Sequence, residues 1–165
     1  MEAAYEVLVT KDFLVFSAAH FITFAGDQCE RLHGHNYRVE VAATGPLDEN
    51  AYVVDFLALR DAARELTDRL DHRMLLPTQS ERIRVSESGG QVTARFEDRT
   101  WSFPAEECVL LPVSNTTAEL LARWLGERVL QALAAKGHPR PATLTVRVEE
   151  NFGQRAACTL TPEER

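Results

Sequence analysis

Alternating apolar and polar residues predict β-strands near both ends of the chain. Apolar residues occupy every second position from Tyr37 to Ala43, and again from Leu144 to Val148. Residues 5–18 are rich in Val, Leu, Phe and Tyr. Residues 151–154 have the composition of a turn, and residues 156–160 follow it as a closing strand. Because the side chains of a strand point alternately to its two faces, such stretches bury one face. The pattern predicts an antiparallel pair of strands early in the chain and a hairpin at its end.

Two central stretches repeat apolar residues at the three- and four-residue spacing of an α-helix. The first follows Asp55, a residue type that caps helix N-termini. The second follows Thr116 and Glu119, which have the spacing of a capping box, and it ends before Gly137. The apolar positions are Phe56, Leu59, Ala63, Leu66 and Leu70 in the first stretch and Leu121, Leu125, Val129 and Leu133 in the second. Each stretch predicts a helix with one buried face.

Residues 78–113, between the two helices, have a different pattern. A Ser-Gly-Gly-Gln turn signal at 88–91 separates two strand-like runs, and Trp101 and Phe103 follow at alternate positions. We interpret this part as a β insertion of two or three short strands. A surface hairpin is the expected form, with an interface element or a lid as the alternatives.

The order of the elements is strand, strand, helix, insertion, helix, strand, strand. Strand pairs joined by short turns favour an antiparallel sheet, and two amphipathic helices need one face of it to cover their apolar sides. We therefore predict a single α+β domain over residues 1–165, with a four-stranded antiparallel sheet and both helices on one face.

Composition narrows the classes of function. The formal net charge of −7 disfavours nucleic-acid binding. No apolar run approaches the roughly 18 residues that a membrane span requires, and the N-terminal residues lack the basic and apolar regions of a signal peptide. The three cysteines are scattered, which argues against a disulfide framework and favours a reducing cytoplasm.

The chemistry of the chain is concentrated in residues 29–35, which read Cys-Glu-Arg-Leu-His-Gly-His. His33 and His35 share one face of an extended chain, and a paired strand would bring His20 beside them. Three imidazoles are the ligand set of a catalytic zinc site with an open fourth position. Two alternatives stay open at this point: ordinary core or surface histidines, and a structural zinc site with Cys29 as the fourth ligand.

Two further features are ambiguous from the residues alone. Asp71 and His72 are adjacent at the end of the first predicted helix, where a solvated helix terminus is the simpler explanation of the pair. Glu150 continues the apolar phase of the last hairpin, whereas Glu149 continues the polar phase. A carboxylate on a buried face requires a partner. Glu150 is therefore a candidate ligand anchor, unless the strand has ended by that residue.

Four motifs in the same order resemble the 6-pyruvoyl-tetrahydropterin synthase / 6-carboxytetrahydropterin synthase family. They lie at residues 16–20, 29–37, 70–72 and 115–119 and together span most of the chain. The resemblance implies the tunnelling fold (T-fold) and a closed homo-oligomer, typically a hexamer of two stacked trimers with active sites between subunits. It also implies that His20, His33 and His35 bind Zn²⁺.

The resemblance also assigns roles to the other candidates. Cys29 would be the catalytic base, and Asp71 with His72 a proton relay. Glu150 would bind the pterin ring, with Thr117 beside it. A thiol pKa is about 8.5 when unperturbed, so the metal and protonated His72 would have to lower the pKa of Cys29.

The implied substrate is 7,8-dihydroneopterin triphosphate. The Cys-x3-His-Gly-His spacing resembles the enzymes that form 6-carboxytetrahydropterin for queuosine and other deazapurines, and formation of 6-pyruvoyl-tetrahydropterin is the alternative. A related folate-pathway variant uses Glu in place of the catalytic Cys, so Glu30 leaves a mixed activity open. A non-catalytic zinc- or pterin-binding assembly protein is a further alternative, although it would not need Cys29, Asp71 or His72.

Overall fold

One curled sheet of seven strands and two helices form the body of the protein. The computed structural model describes residues 3–162. Its strands are β1 (Tyr5–Val9), β2 (Val15–His20), β3 (Thr23–Phe24), β4 (Gln28–Cys29), β5 (His33–Gly45), β6 (Arg73–Pro77), β7 (Arg84–Ser88), β8 (Gln91–Phe96), β9 (Arg99–Pro104), β10 (Cys108–Leu111), β11 (Thr143–Asn151) and β12 (Gln154–Leu160). The helices are α1 (Phe56–Leu70) and α2 (Ala118–Ala135). The main sheet has the order β10-β6-β2-β5-β11-β12, and β1 also pairs with β5.

The sheet is wider than the sequence predicted. Strands β2, β5, β11 and β12 are antiparallel neighbours, as expected. The prediction of a four-stranded antiparallel sheet is nevertheless wrong, because β6 pairs in parallel with β2 and β10. Residues 74–77 are all buried and follow α1 directly, so they show no alternation that would have identified a strand.

The N-terminal segment forms two strands on the same partner. β1 pairs with Val41–Gly45 of β5, and β2 pairs with residues 33–38. Between them, Leu14 donates its backbone N–H to Lys11 and accepts one from Val39. The sequence of residues 5–18 predicts one long strand or one strand with a bulge, and the structure instead divides this segment by a turn.

Both helices pack against the face of the sheet that carries Phe16, Tyr37 and Val146. Asp55 caps α1, accepting from the backbone N–H groups of Leu57 and Ala58. Phe56 is 57% exposed, so the prediction that it lies on the buried face of α1 is wrong. The cap of α2 is Thr117 instead of Thr116, which is fully buried.

The β insertion is a separate three-stranded antiparallel sheet of β7, β8 and β9. Gly89 and Gly90 have positive φ angles in the turn between β7 and β8, as the turn signal predicted. This inserted sheet packs over Phe21, Met74 and Leu76 in a second hydrophobic cluster. The chain then rejoins the main sheet at β10, before residue 113. Neither helix within residues 3–162 combines the length and apolarity needed to cross a membrane.

Candidate metal centre and active site

Three histidines meet at the end of the β2–β5 pair. His20 lies opposite His33 in the antiparallel register, and His35 lies opposite Ala18. The candidate ligand atoms of His20, His33 and His35 all lie within 4.8 Å of one another. The strand pairing therefore produces the three-imidazole cluster that the sequence predicted.

Gly34 allows the two strands to approach each other at this cluster. A Cβ atom at this position would lie 3.0 Å from the carbonyl oxygen of Ala18. The close neighbour of Gly34 is thus the backbone of β2.

Backbone carbonyls orient two of the rings. His20 Nδ1 lies 2.9 Å from the carbonyl oxygen of Thr116, and His33 Nδ1 lies 2.8 Å from that of Arg31. A carbonyl can only accept a hydrogen bond, so each Nδ1 carries the proton and each Nε2 keeps its lone pair. Outer partners of this kind fix the tautomer of metal-ligating histidines.

The third ring has a buried nitrogen with no partner. His35 Nε2 has no hydrogen bond to any of the described residues and no contact with solvent. A buried polar atom without a partner is costly, and a metal ion between the three rings would satisfy it. The donor set of three neutral imidazoles fits Zn²⁺.

The electrostatics of His20 support the same role. Burial lowers the pKa of His20 to about 4, and the neighbouring His33 and His35 add to the effect, while the bond to Thr116 opposes it. A metal ligand must be a neutral imidazole. Tyr37 is fully buried beside the cluster, and its hydroxyl lies 3.1 Å from His20 Nε2.

Cys29 lies outside the histidine cluster. The candidate metal-binding group found among residues 3–162 contains the three histidines alone. The Cys29 side chain packs against the second hydrophobic cluster, and its Sγ lies 3.6 Å from the carbonyl oxygen of Glu30. Burial raises the pKa of this thiol, the Glu30 carboxylate raises it further, and only Arg99 lowers it. This geometry disfavours the structural-zinc alternative.

Asp71 and His72 form a pair held by β2. The backbone N–H of Ser17 donates to Asp71 Oδ1 at 2.7 Å, and His72 Nδ1 lies 2.8 Å from Asp71 Oδ2. The Ser17 N–H, followed by the His72 ring, holds the pKa of Asp71 below its ordinary value against a smaller effect of desolvation. His72 has a φ of 56°, and its side chain is 81% exposed in a groove that it shares with His35 and Phe103.

A cavity of about 470 Å³ opens beside the histidine cluster. Its lining brings together residues from four elements that the sequence singled out separately: His20, Glu30, His33, Thr117 and Glu150. A register shift in the β11–β12 pair falls between Glu149 and Asn151, so Glu150 lies at an irregularity of the strand. Glu149 instead accepts from the Gly153 N–H and lines a groove with Lys11 and Arg38.

Sequence reasoning missed several supporting residues. Thr116 holds His20 by its carbonyl, and its hydroxyl donates to Phe21. Asn115 donates to the carbonyl oxygen of Thr23 and accepts from its N–H, which ties the β3–β4 hairpin to the start of α2. Asn115 and Thr116 belong to a motif that was noted, but their partners lie more than 90 positions away, and no local signal identifies them.

Comparison with known proteins identifies relatives over nearly the whole chain. The family model described as 6-pyruvoyl tetrahydropterin synthase matches residues 9–161. A Methanocaldococcus jannaschii protein provisionally named 6-carboxy-5,6,7,8-tetrahydropterin synthase is 32% identical over 87% of this chain and 88% of its own length. The Haemophilus influenzae protein of that name is 26% identical over 73% and 80% of the two chains. A Pyrococcus furiosus dihydroneopterin monophosphate aldolase is 38% identical over 36% of this chain and 50% of its own.

Solved structures show the same fold. Plasmodium vivax 6-pyruvoyltetrahydropterin synthase superposes with a TM-score of 0.85 at 28% identity, over 98% of this chain and all of its own. Its solved variants include replacements of a catalytic glutamate by alanine and by cysteine.

Proposed function

The chain belongs to the 6-pyruvoyl tetrahydropterin synthase family of pterin lyases, and we propose that it is a zinc-dependent 6-carboxytetrahydropterin synthase. It would convert 7,8-dihydroneopterin triphosphate to 6-carboxytetrahydropterin, with loss of triphosphate and acetaldehyde. The observation that carries the proposal is the unpartnered, buried His35 Nε2 beside two oriented imidazoles, those of His20 and His33, which line the cavity of about 470 Å³. The names of the archaeal and bacterial relatives support this product.

His20, His33 and His35 would hold the zinc ion. When bound, Zn²⁺ supplies a Lewis acid that polarises oxygens of the substrate side chain. The protein itself holds the three rings in place. The neutral rings would keep their lone pairs toward the ion, and the carbonyls of Thr116 and Arg31 fix the orientation of His20 and His33.

Cys29 would act as the base that removes a proton from the substrate side chain. The thiolate is the reactive form of a cysteine, and burial works against it here, so nearby positive charge is required. Asp71 fixes the His72 ring through Nδ1. His72 would then pass the proton at Nε2 to and from the reacting groups.

Cys29 packs against the second hydrophobic cluster, and His72 lies in an exposed groove. In the proposed hexamer, the His72 groove of one subunit would face the cavity of a neighbouring subunit. The active site would therefore lie between copies of the chain.

Glu150 and Thr117 would hold the pterin ring. A carboxylate at the cavity wall can accept two N–H groups of the ring. The Thr117 hydroxyl already accepts from the Leu120 N–H at the start of α2, which leaves its hydrogen free to donate to the ligand.

Glu30 favours a second candidate function, cleavage of the pterin side chain by an aldolase reaction. Its Oε2 lies 3.8 Å from His33 Nε2, and its side chain lines the same cavity. A carboxylate in that place can act as a base. The P. furiosus aldolase and the catalytic glutamate of the P. vivax enzyme give this reading its support.

Mass spectrometry of the products formed from 7,8-dihydroneopterin triphosphate tests these alternatives. The proposal predicts 6-carboxytetrahydropterin and acetaldehyde, and it predicts their loss in Cys29→Ala. Formation of 6-pyruvoyl-tetrahydropterin would support the alternative synthase. A shortened pterin alcohol that is lost in Glu30→Gln would support the aldolase, and no turnover with zinc bound would support a binding protein.

A further inference from the structure

The inserted sheet reaches the candidate base directly. Arg99, the first residue of β9, donates from Nη2 to the backbone carbonyl oxygen of Cys29 at 3.0 Å. Cys29 ends the two-residue strand β4, whose only ladder partner within the described chain is β3. The carbonyl that Arg99 holds therefore belongs to a short segment with few other restraints.

Aromatic rings hold the Arg99 guanidinium in place. Its carbon lies 5.1 Å from the ring centroid of Phe96 and 5.4 Å from that of Trp101. Trp101 in turn stacks on Phe21, with centroids 4.4 Å apart and planes 26° apart. Phe21 follows the ligand residue His20, so the contacts form a continuous path from the metal centre through the inserted sheet to Cys29.

Arg99 also supplies the positive charge that Cys29 needs. Burial raises the pKa of the thiol, and the adjacent carboxylate of Glu30 raises it as well. Arg99 acts in the opposite direction, because its positive charge lowers the pKa of the thiol. A guanidinium keeps its charge at every pH at which the thiol titrates.

We propose that Arg99 is a positioning residue for Cys29: it ties the segment that carries the thiol to the inserted sheet and stabilises the thiolate. The function of the inserted sheet would then be to hold the Arg99 guanidinium next to Cys29. The catalytic part of this inference rests on the proposed role of Cys29, whereas the effect on the thiol does not.

The experiment measures the rate of Cys29 alkylation by iodoacetamide against pH, with the modified peptide quantified by mass spectrometry in the full-length chain. Arg99→Gln removes the charge, Arg99→Met removes it while keeping an unbranched side chain against the two rings, and Arg99→Lys keeps the charge. Arg95→Gln is the matched control, since Arg95 lies exposed on β8 of the same sheet. Thermal unfolding identifies the folded variants.

Both neutral variants should raise the apparent pKa of Cys29 by on the order of one unit, so that alkylation below that pKa slows about tenfold. Arg99→Lys should stay closer to the wild type than either neutral variant, and Arg95→Gln should match it. A purely structural role for Arg99 would instead group Arg99→Lys with the neutral variants. An unchanged titration in whichever neutral variant folds would overturn the proposal.

Turnover of the same variants separates this inference from the proposed function. If Cys29 is the base, the neutral variants should lower kcat with little change in KM. A shifted titration with unchanged turnover would support the Arg99–Cys29 link and count against Cys29 as the base.

Discussion

The residue that best defines the site is His35, because its buried Nε2 has no partner within the described chain. Neither neighbouring ring forms a hydrogen bond with it, and Nε2 of His20 and of His33 each keep a lone pair because the Nδ1 of each ring carries the proton. A cation is the simplest group that accepts three lone pairs.

We expect His33→Ala and His35→Ala to lose most of their zinc, since each removes one of three ligands. Metal analysis of the purified proteins measures this, with His138→Ala as the control because His138 lies in the loop after α2. Full zinc occupancy in both variants would contradict the assignment.

Glu150 and Glu149 are adjacent, but they differ in their access to the cavity beside the histidine cluster. Glu150→Gln should raise the KM for the pterin substrate much more than Glu149→Gln, because only Glu150 lines the cavity that contains His20 and His33. Steady-state kinetics of both variants tests this. Small and equal effects would show that neither carboxylate anchors the ring.

At the scale of elements, the β2–β5 pair delivers all three candidate ligands, and its antiparallel pairing was predicted from the sequence. His33 and His35 share a face by their spacing, and the register places His20 opposite His33. The supporting contacts were not predictable, because Arg99 and Cys29 lie 70 positions apart and the Thr116–His20 pair lies 96 apart. Strand β6 was missed because a fully buried strand has no alternation.

Gly34→Ala should disturb this strand pair. The new Cβ would lie 3.0 Å from the Ala18 carbonyl oxygen, so the strands must separate, at a cost of about 1–3 kcal/mol in the free energy of unfolding. We expect weaker zinc binding as well. Gly45→Ala is the control, since it crowds Ala142 at the opposite end of β5. Equal zinc affinity in the two variants would show that Gly34 does not set the ligand geometry.

At the scale of the whole molecule, the chain has open sheet edges and exposed apolar side chains. β10 and β12 lie at the ends of the main sheet. Phe56 and Leu57 are each 57% exposed, and Phe152 is 84% exposed. Exposed edges and apolar side chains are features of surfaces that another chain covers.

We therefore predict a closed homo-oligomer, with a hexamer as the expected form. Sedimentation velocity at micromolar concentration measures its mass directly. A monomer under those conditions would refute the prediction.

The division of labour between the metal and Cys29 is tested most directly by measuring zinc content and turnover together in Cys29→Ala. Because Cys29 lies outside the histidine cluster, zinc should be retained, while turnover should fall by roughly 10²–10⁴-fold, the usual effect of losing a positioned base. Loss of zinc together with activity would make Cys29 a structural ligand. Near-normal turnover with zinc retained would contradict its role as the base and shift that role to Glu30.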